Sequence, residues 1–275
     1  PIRASHSRYV PKTYCDVCIT RIPSSVEGIM RYYQTNAVYE RIQGLHNHSF
    51  RWAAGNAWIL IYGNGHSEPV ALVLVAGRSW EPQSEVTSLV ESLSEVSGLP
   101  VMEIHFDDTV KEIESVGLKK HGSRLIETSL EDLRAVFSEL GLPVKSGVAS
   151  KAINDASSSA YHNWQRANLG RITVSDIDLF RLDGERRAIE LIELKRSYID
   201  LNKWQPFSAD YPNFNLILST AKLSSARMTI AYNVRTKNPF YDDPSSISVF
   251  NYAKFNSPIH AGIYPFERFA DGSYL

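Results

Sequence analysis

Residues 175–197 read SDIDLFRLDGERRAIELIELKRS. Two strongly apolar runs, IDLF at 177–180 and AIELIEL at 188–194, flank a turn at Asp183-Gly184, which is the pattern of an antiparallel hairpin. Side chains alternate between the faces of a strand with period two. Asp176 and Asp178 therefore share one face of the first strand, with Ile177 and Leu179 on the other. Glu193 and Lys195 share one face of the second strand, with Ile192 and Leu194 opposite. With the loop at 183–187, Asp178 falls opposite residues 191–193, about 5–8 Å from Glu193 on a common face.

Two carboxylates this close repel unless something neutralises them. Their separation suits one divalent ion, since Mg²⁺ takes oxygen ligands at ~2.0–2.1 Å and keeps several waters. Such an ion can bind a phosphate oxygen, stabilise developing charge and lower the pKa of a bound water. The Lys195 ammonium, on the same face, can hold an attacking water or stabilise a pentacovalent phosphate. An Asp on one strand and Glu-x-Lys on the next are thus a sufficient set of groups for hydrolysing a phosphodiester. The plainer alternative is a surface hairpin whose charged face is solvated or paired across strands. Against it, Ile189, Leu191, Ile192 and Leu194 make a continuous apolar run of the kind found in a central strand.

Working outward, 151–168 reads as a helix closed by Gly170. A helix near 200–210 and strands at 214–219 and 227–234 follow the hairpin, which itself spans strands 172–181 and 188–195. Helix and strand alternate in a mixed α/β pattern. Upstream, GLPVKSGVAS at 141–150 is dense in Gly, Pro and Ser and is the best domain boundary, dividing the chain into 1–144 and 145–275. The first part is expected to hold helices at 24–43, 84–97, 109–116 and 129–140. Strands are expected at 58–62 and 70–76, around a GNGHSEP hairpin loop, and at 101–106. Thr128 and Glu131 are spaced as the capping box of helix 129–140. A strand is expected at 246–252 within a Pro-, Tyr- and Phe-rich end.

Asp178 followed fifteen residues on by Glu193-Leu194-Lys195 resembles the PD-(D/E)XK nuclease superfamily, over about residues 150–220. The proline of the name is absent, and Ser175-Asp176 stands nearby. The resemblance implies a mixed central sheet flanked by helices, a restriction-endonuclease-like core, beside an N-terminal α/β domain for recognition or regulation. It implies Asp178 and Glu193 as metal ligands, Lys195 as the catalytic lysine, and Mg²⁺ as cofactor with Mn²⁺ able to substitute. Asp176 is an alternative ligand to Asp178, and Asp155, the only acid on 151–168, stands where many members carry an acid on the preceding helix. Gln205 resembles a glutamine that some branches carry after the second strand. Length and organisation resemble a type II restriction endonuclease, which implies a homodimer cutting double-stranded DNA. Two other readings remain open: a nuclease-like fold that binds nucleic acid without cutting, and a nuclease regulated by a ligand bound within 52–144.

Composition sets the outer limits. The chain of 275 residues is long enough for one large or two modest domains. No apolar run approaches the ~18–20 residues of a membrane span, and the N-terminal stretch lacks a signal-peptide core, so a cytoplasmic protein with no membrane partner is expected. The net charge of −1 conceals segregation: 1–51 carries +4, 52–144 carries −8 and 145–275 carries +3. A basic face drawn from both ends would contact DNA through Arg31 and Arg41, with Lys151, Arg166, Arg171 and Arg196 nearer the hairpin. Cys15 and Cys18 with His46 and His48 have half of a zinc pattern, but His-x-His is too tight for the usual spacing. His105-Phe106-Asp107-Asp108 reads as a strand end running into a helix N-cap.

Overall fold

The computed structural model describes residues 49–53, 57–79, 84–145, 159–170, 172–199, 203–204, 206–237, 240–242 and 261–265. The expected helix 24–43 and strand 246–252 lie outside them, as do Cys15, Cys18, Arg31, Arg41, His46, His48, Lys151, Asp155, Arg171 and Gln205.

Strands β2 (Ala57–Gly63) and β3 (Pro69–Gly77) are apolar on both faces, as strands covered from both sides must be. They pair antiparallel around the expected hairpin loop, where Asn64 Oδ1 accepts from the N–H groups of His66 and Glu68 at 2.9 and 3.1 Å. Helix α1 (Ser84–Ser97) leads to β4 (Val101–Phe106), which lies parallel to β3. Strands β5 (Ser115–Lys120) and β6 (Ile126–Ser129) extend the sheet antiparallel. Helices α2 (Leu130–Glu139) and α3 (Ala160–Asn168) follow, and β7 (Thr173–Asp176) closes the order β6-β5-β4-β3-β2-β7.

The other sheet runs β1 (Phe50–Arg51), β8 (Leu179–Leu182), β9 (Ala188–Ser197), β10 (Arg227–Lys237) and β11 (Phe240–Asp242), with β12 (Ala261–Pro265) also on β10. The β8–β9 pair is antiparallel, whereas β9 and β10 are parallel, joined through a 3₁₀ turn (Ser208–Asp210) and helix α4 (Tyr211–Leu223). Among the described residues the architecture is mixed α/β, as the alternation of elements predicts: two mixed sheets of six strands each, with four helices.

Helix α4 sits between the sheets. Phe214, Leu216, Ile217, Leu218 and Ala221 share one core with Ile59, Ile61, Leu72 and Leu74 of one sheet and Leu191, Met228, Ile230 and Tyr232 of the other. Each large side chain of that set contributes about 1.5–3 kcal/mol on burial. A second core fills the far face of the β2–β3 sheet, where Leu133, Phe137, Tyr161 and Trp164 of α2 and α3 cover Leu60, Tyr62, Val73 and Ile104. There Tyr62 Oη donates to Gln165 Oε1 at 2.5 Å and lies 2.8 Å from Tyr161 Oη. Pairing crosses the 144/145 boundary, since β1 joins β8 and β2 joins β7. No helix among the described residues is long and apolar enough to cross a membrane.

Five local expectations are corrected. The strand at 172–181 is two strands: 173–176 pairs with β2 in one sheet and 179–182 with β9 in the other, so the chain changes sheets at Ile177-Asp178. The strand at 214–219 is part of α4, because a short apolar run reads alike as a strand or as a helix buried on most of its surface. Of the helix near 200–210, only the 3₁₀ turn is found among the described residues. Residues 109–112 form turns before β5 rather than a helix, with Asp107 Oδ1 accepting from Thr109 N–H at 2.9 Å. The α2 cap is also displaced by one residue, Ser129 Oγ accepting from Asp132 N–H at 3.1 Å.

Gly170 has φ of +69°, and a Cβ there would lie 2.1 Å from the Lys145 carbonyl oxygen; Gly98 has φ of +72° with open space around it. Gly98→Ala is expected to cost about 1–2 kcal/mol from the left-handed backbone alone. Gly170→Ala should cost clearly more, because backbone must also move. Urea unfolding of both variants checks the order, and equal losses would contradict the clash.

Candidate functional site

Strand β9 carries two rows of side chains. Glu190, Ile192 and Leu194 form one row. Glu190 is buried, its Oε2 takes the Arg181 Nε–H at 2.7 Å, and its Oε1 accepts from Thr229 Oγ1–H. Leu191, Glu193 and Lys195 form the other, and Leu191 belongs to the core that α4 completes. Glu193 and Lys195 thus continue an apolar row inward rather than facing bulk solvent. Glu193 is only 5% exposed.

The register pairs Leu179 with Ile192, so the next position outward sets Asp178 against Glu193, as the hairpin spacing predicts. Asp178 Oδ2 accepts from the Leu194 N–H at 2.7 Å. Just before it, the Ile177 N–H donates to the Ile59 carbonyl at 2.9 Å, holding the crossover to the β2 side. Lys195 Nζ lies 2.8 Å from Glu193 Oε1 and 5.2 Å from the centroid of the Phe214 ring, within cation–π range. Glu193 Oε2 is enclosed and has no hydrogen-bond partner.

The electrostatics follow from this packing. Burial pushes the Asp178 carboxyl well above the usual range, and the neighbouring Glu193 and Asp176 push it further. Glu193 is also raised, by burial first; the Lys195 charge opposes this, while Asp176 and Asp210 add to it. Burial alone would lower Lys195, but Glu193, Asp210 and Asp178 outweigh it and hold the ammonium firmly protonated. Asp176 is exposed and acts on both Asp178 and Glu193.

Asp210 and Phe214 are the site members that the sequence reading missed. Asp210 ends the 3₁₀ turn at the N-terminus of α4, and Phe214 lies one turn inside that helix. Neither carries a signal at a fixed spacing from Glu-x-Lys; only the fold of 208–223 brings them in. The end of β9 is anchored nearby: Tyr232 Oη donates to the Ile199 carbonyl at 2.6 Å and lies 2.7 Å from Ser197 Oγ.

Other sequence candidates have separate settings. Arg166 is in the last turn of α3, a helix packed on the face of the β2–β3 sheet turned away from α4. Arg196 follows Lys195 on β9, and its side chain lies outside the described residues. His105 Nε2 lies 2.6 Å from Glu103 Oε1, Lys119 Nζ lies 3.0 Å from Glu103 Oε2, and Asp108 accepts from the Ser79 N–H at 3.1 Å.

A divalent cation fits this chemistry. An unpartnered buried carboxylate oxygen and two mutually repelling acids supply oxygen ligands and surplus negative charge. Among the described residues no three His, Cys, Asp or Glu side chains make a metal-holding group, so Asp178 and Glu193 would act as a two-carboxylate site with water in the remaining positions.

No family model matches the chain, and neither a curated protein nor a solved structure is significantly similar to it.

In the folded protein both acids bind protons more tightly than in the unfolded chain. Stability therefore falls as pH rises from about 4, the unfolded carboxyl value, through the raised folded values. Asp178→Asn keeps an oxygen for the Leu194 N–H and removes the repulsion. In EDTA near neutral pH it should be about 1 kcal/mol more stable than wild type, the gap closing toward about pH 4. Urea midpoints at the two pH values test this; a less stable variant near neutrality would count against the repulsion.

Proposed function

We propose that this chain is a metal-dependent phosphodiester hydrolase acting on DNA as an endonuclease, with Mg²⁺ or Mn²⁺ held by Asp178 and Glu193. The observation that carries the reading is Glu193 Oε2, a buried carboxylate oxygen without a partner, set beside the partly buried Asp178 and a lysine. Structural ion pairs in cores satisfy both oxygens, as Glu190 does on the opposite face of the same strand. The order α3, β7–β8, β9, α4, β10, with β9 parallel to β10, further supports a restriction-endonuclease-like arrangement of these residues.

The bound cation would supply charge neutralisation and a water of lowered pKa. Lys195, held protonated, is a hydrogen-bond donor and a positive charge rather than a base. Its Nζ–H groups would orient the attacking water and meet negative charge developing on a non-bridging phosphate oxygen. Glu193 Oε1 and the Phe214 ring hold that ammonium in position.

The closed Glu193–Lys195 pair favours one other reading, a nucleic-acid-binding module of the same fold that does not cut. Incubation of supercoiled plasmid and linear phage DNA with millimolar Mg²⁺ or with EDTA separates the two. Metal-dependent fragments should be made by the wild type. Asp178→Ala, Glu193→Gln and Lys195→Ala should each slow cleavage by about 10²–10³-fold. DNA that is retarded in gels but intact in Mg²⁺ and Mn²⁺ would establish the binding module instead.

A further inference from the structure

The segment joining β9 to α4 carries the two exposed aromatic side chains among the described residues. Tyr198 is 44% exposed and Phe207 is 50% exposed. The other exposed large apolar side chains, Val96, Val110, Leu125, Ile126 and Leu223, are aliphatic. Every other Phe, Trp or Tyr whose side chain is described is partly or fully buried. Tyr198 comes three residues after Lys195, and Phe207 three residues before Asp210, whose N–H donates to the Phe207 carbonyl at 2.9 Å. Phe207 is thus bonded to Asp210, one of the groups around Glu193, and Tyr198 follows Lys195 closely along the chain.

Trp204 is buried and stacks on Tyr232 with ring centroids 4.2 Å apart and planes 10° apart, and the Ile199 carbonyl takes the Tyr232 hydroxyl. Ile199 and Trp204 are thus fastened to β10, while Tyr198 and Phe207 are exposed.

We propose that Tyr198 and Phe207 are stacking platforms for unpaired bases beside the scissile phosphate, so that the strand cut is single-stranded or locally unpaired. This deepens the hydrolase reading and rests on it. Acids at the centre of the site repel a phosphate backbone until a cation binds, so affinity needs a source that is not electrostatic. Aromatic faces supply it, because every base offers a π-face once it is out of the duplex stack. Bases inside a duplex are stacked on one another and cannot use the platforms. Binding should accordingly depend on salt less steeply than binding through phosphate contacts alone.

The test uses the full chain and a dye-labelled oligonucleotide of about 12 nucleotides, single-stranded or annealed as a blunt duplex. Fluorescence anisotropy is read in Ca²⁺ and in EDTA, and cleavage is read separately in Mg²⁺. The single strand should bind more tightly than the duplex. Tyr198→Leu and Phe207→Leu, which keep apolar bulk and lose the ring, should each weaken it at least about fivefold, and Phe207→Trp should restore affinity. Equal affinity for strand and duplex, unchanged in the leucine variants, would overturn the proposal, while metal-dependent cleavage lost in Lys195→Ala would still uphold the hydrolase reading. Ring-dependent binding without cleavage of any substrate would support the platforms and sink the hydrolase reading. A wild type that self-associates and is dissociated by Phe207→Leu at unchanged affinity would assign these rings to a protein interface and overturn the proposal. Absence of binding to either form would overturn both.

Discussion

Phe214 is fully buried, and its ring belongs both to the core between the sheets and to the setting of a charge. Helix α4 can bury Phe214, Leu216, Ile217 and Leu218 only by lying between β2–β3 on one side and β9–β10 on the other. That packing fixes the crossover from β9 to the parallel strand β10. It also draws the inward row of β9, Leu191 then Glu193 then Lys195, toward the helix. The glutamate is thus enclosed, and the lysine partly covered, because hydrophobic burial of α4 requires it. In that low-dielectric setting the attraction between them is much stronger than at a wet surface, and the cost of desolvating them is also much higher.

The two buried glutamates of β9 make the functional argument by contrast. Glu190 is 1% exposed, and both its oxygens have partners, so its charge is spent inside the fold. Glu193 has one partnered oxygen and one bare one, in the company of Asp178, Asp176 and Asp210. A protein seldom keeps an unsatisfied buried acceptor without a reason, because its desolvation is uncompensated. Identical side chains three residues apart on one strand therefore have different work.

The hairpin was the most legible part of the chain. Period-two alternation put Glu193 and Lys195 on one face, and loop length set Asp178 against Glu193, because both follow from local strand geometry. The helices 84–97 and 129–140 were also readable from periodicity and their stop signals. What local pattern could not reveal was anything dependent on three-dimensional neighbours. FNLIL at 214–218 lacks a clear period because α4 is covered from two sides, and so it resembled a strand. Asp210 and Phe214 were hidden by the same error, since misreading α4 removes them from the vicinity of Lys195. Nor does any residue type announce that 173–176 and 179–182 belong to different sheets.

That change of sheets has a mechanical side. Ile177 is bonded to the β2 strand through its backbone, while the carboxylate of the very next residue is bonded to the backbone of β9. One peptide unit is thus a tether between the two halves of the molecule. Both acids are fastened to β9, Glu193 by its place in the strand and Asp178 by its bond to the Leu194 N–H. The crossover is therefore a hinge pin rather than a spring: strain between the sheets would fall on the Ile177 side of that peptide, and the pair of oxygen donors would ride with one sheet as a unit.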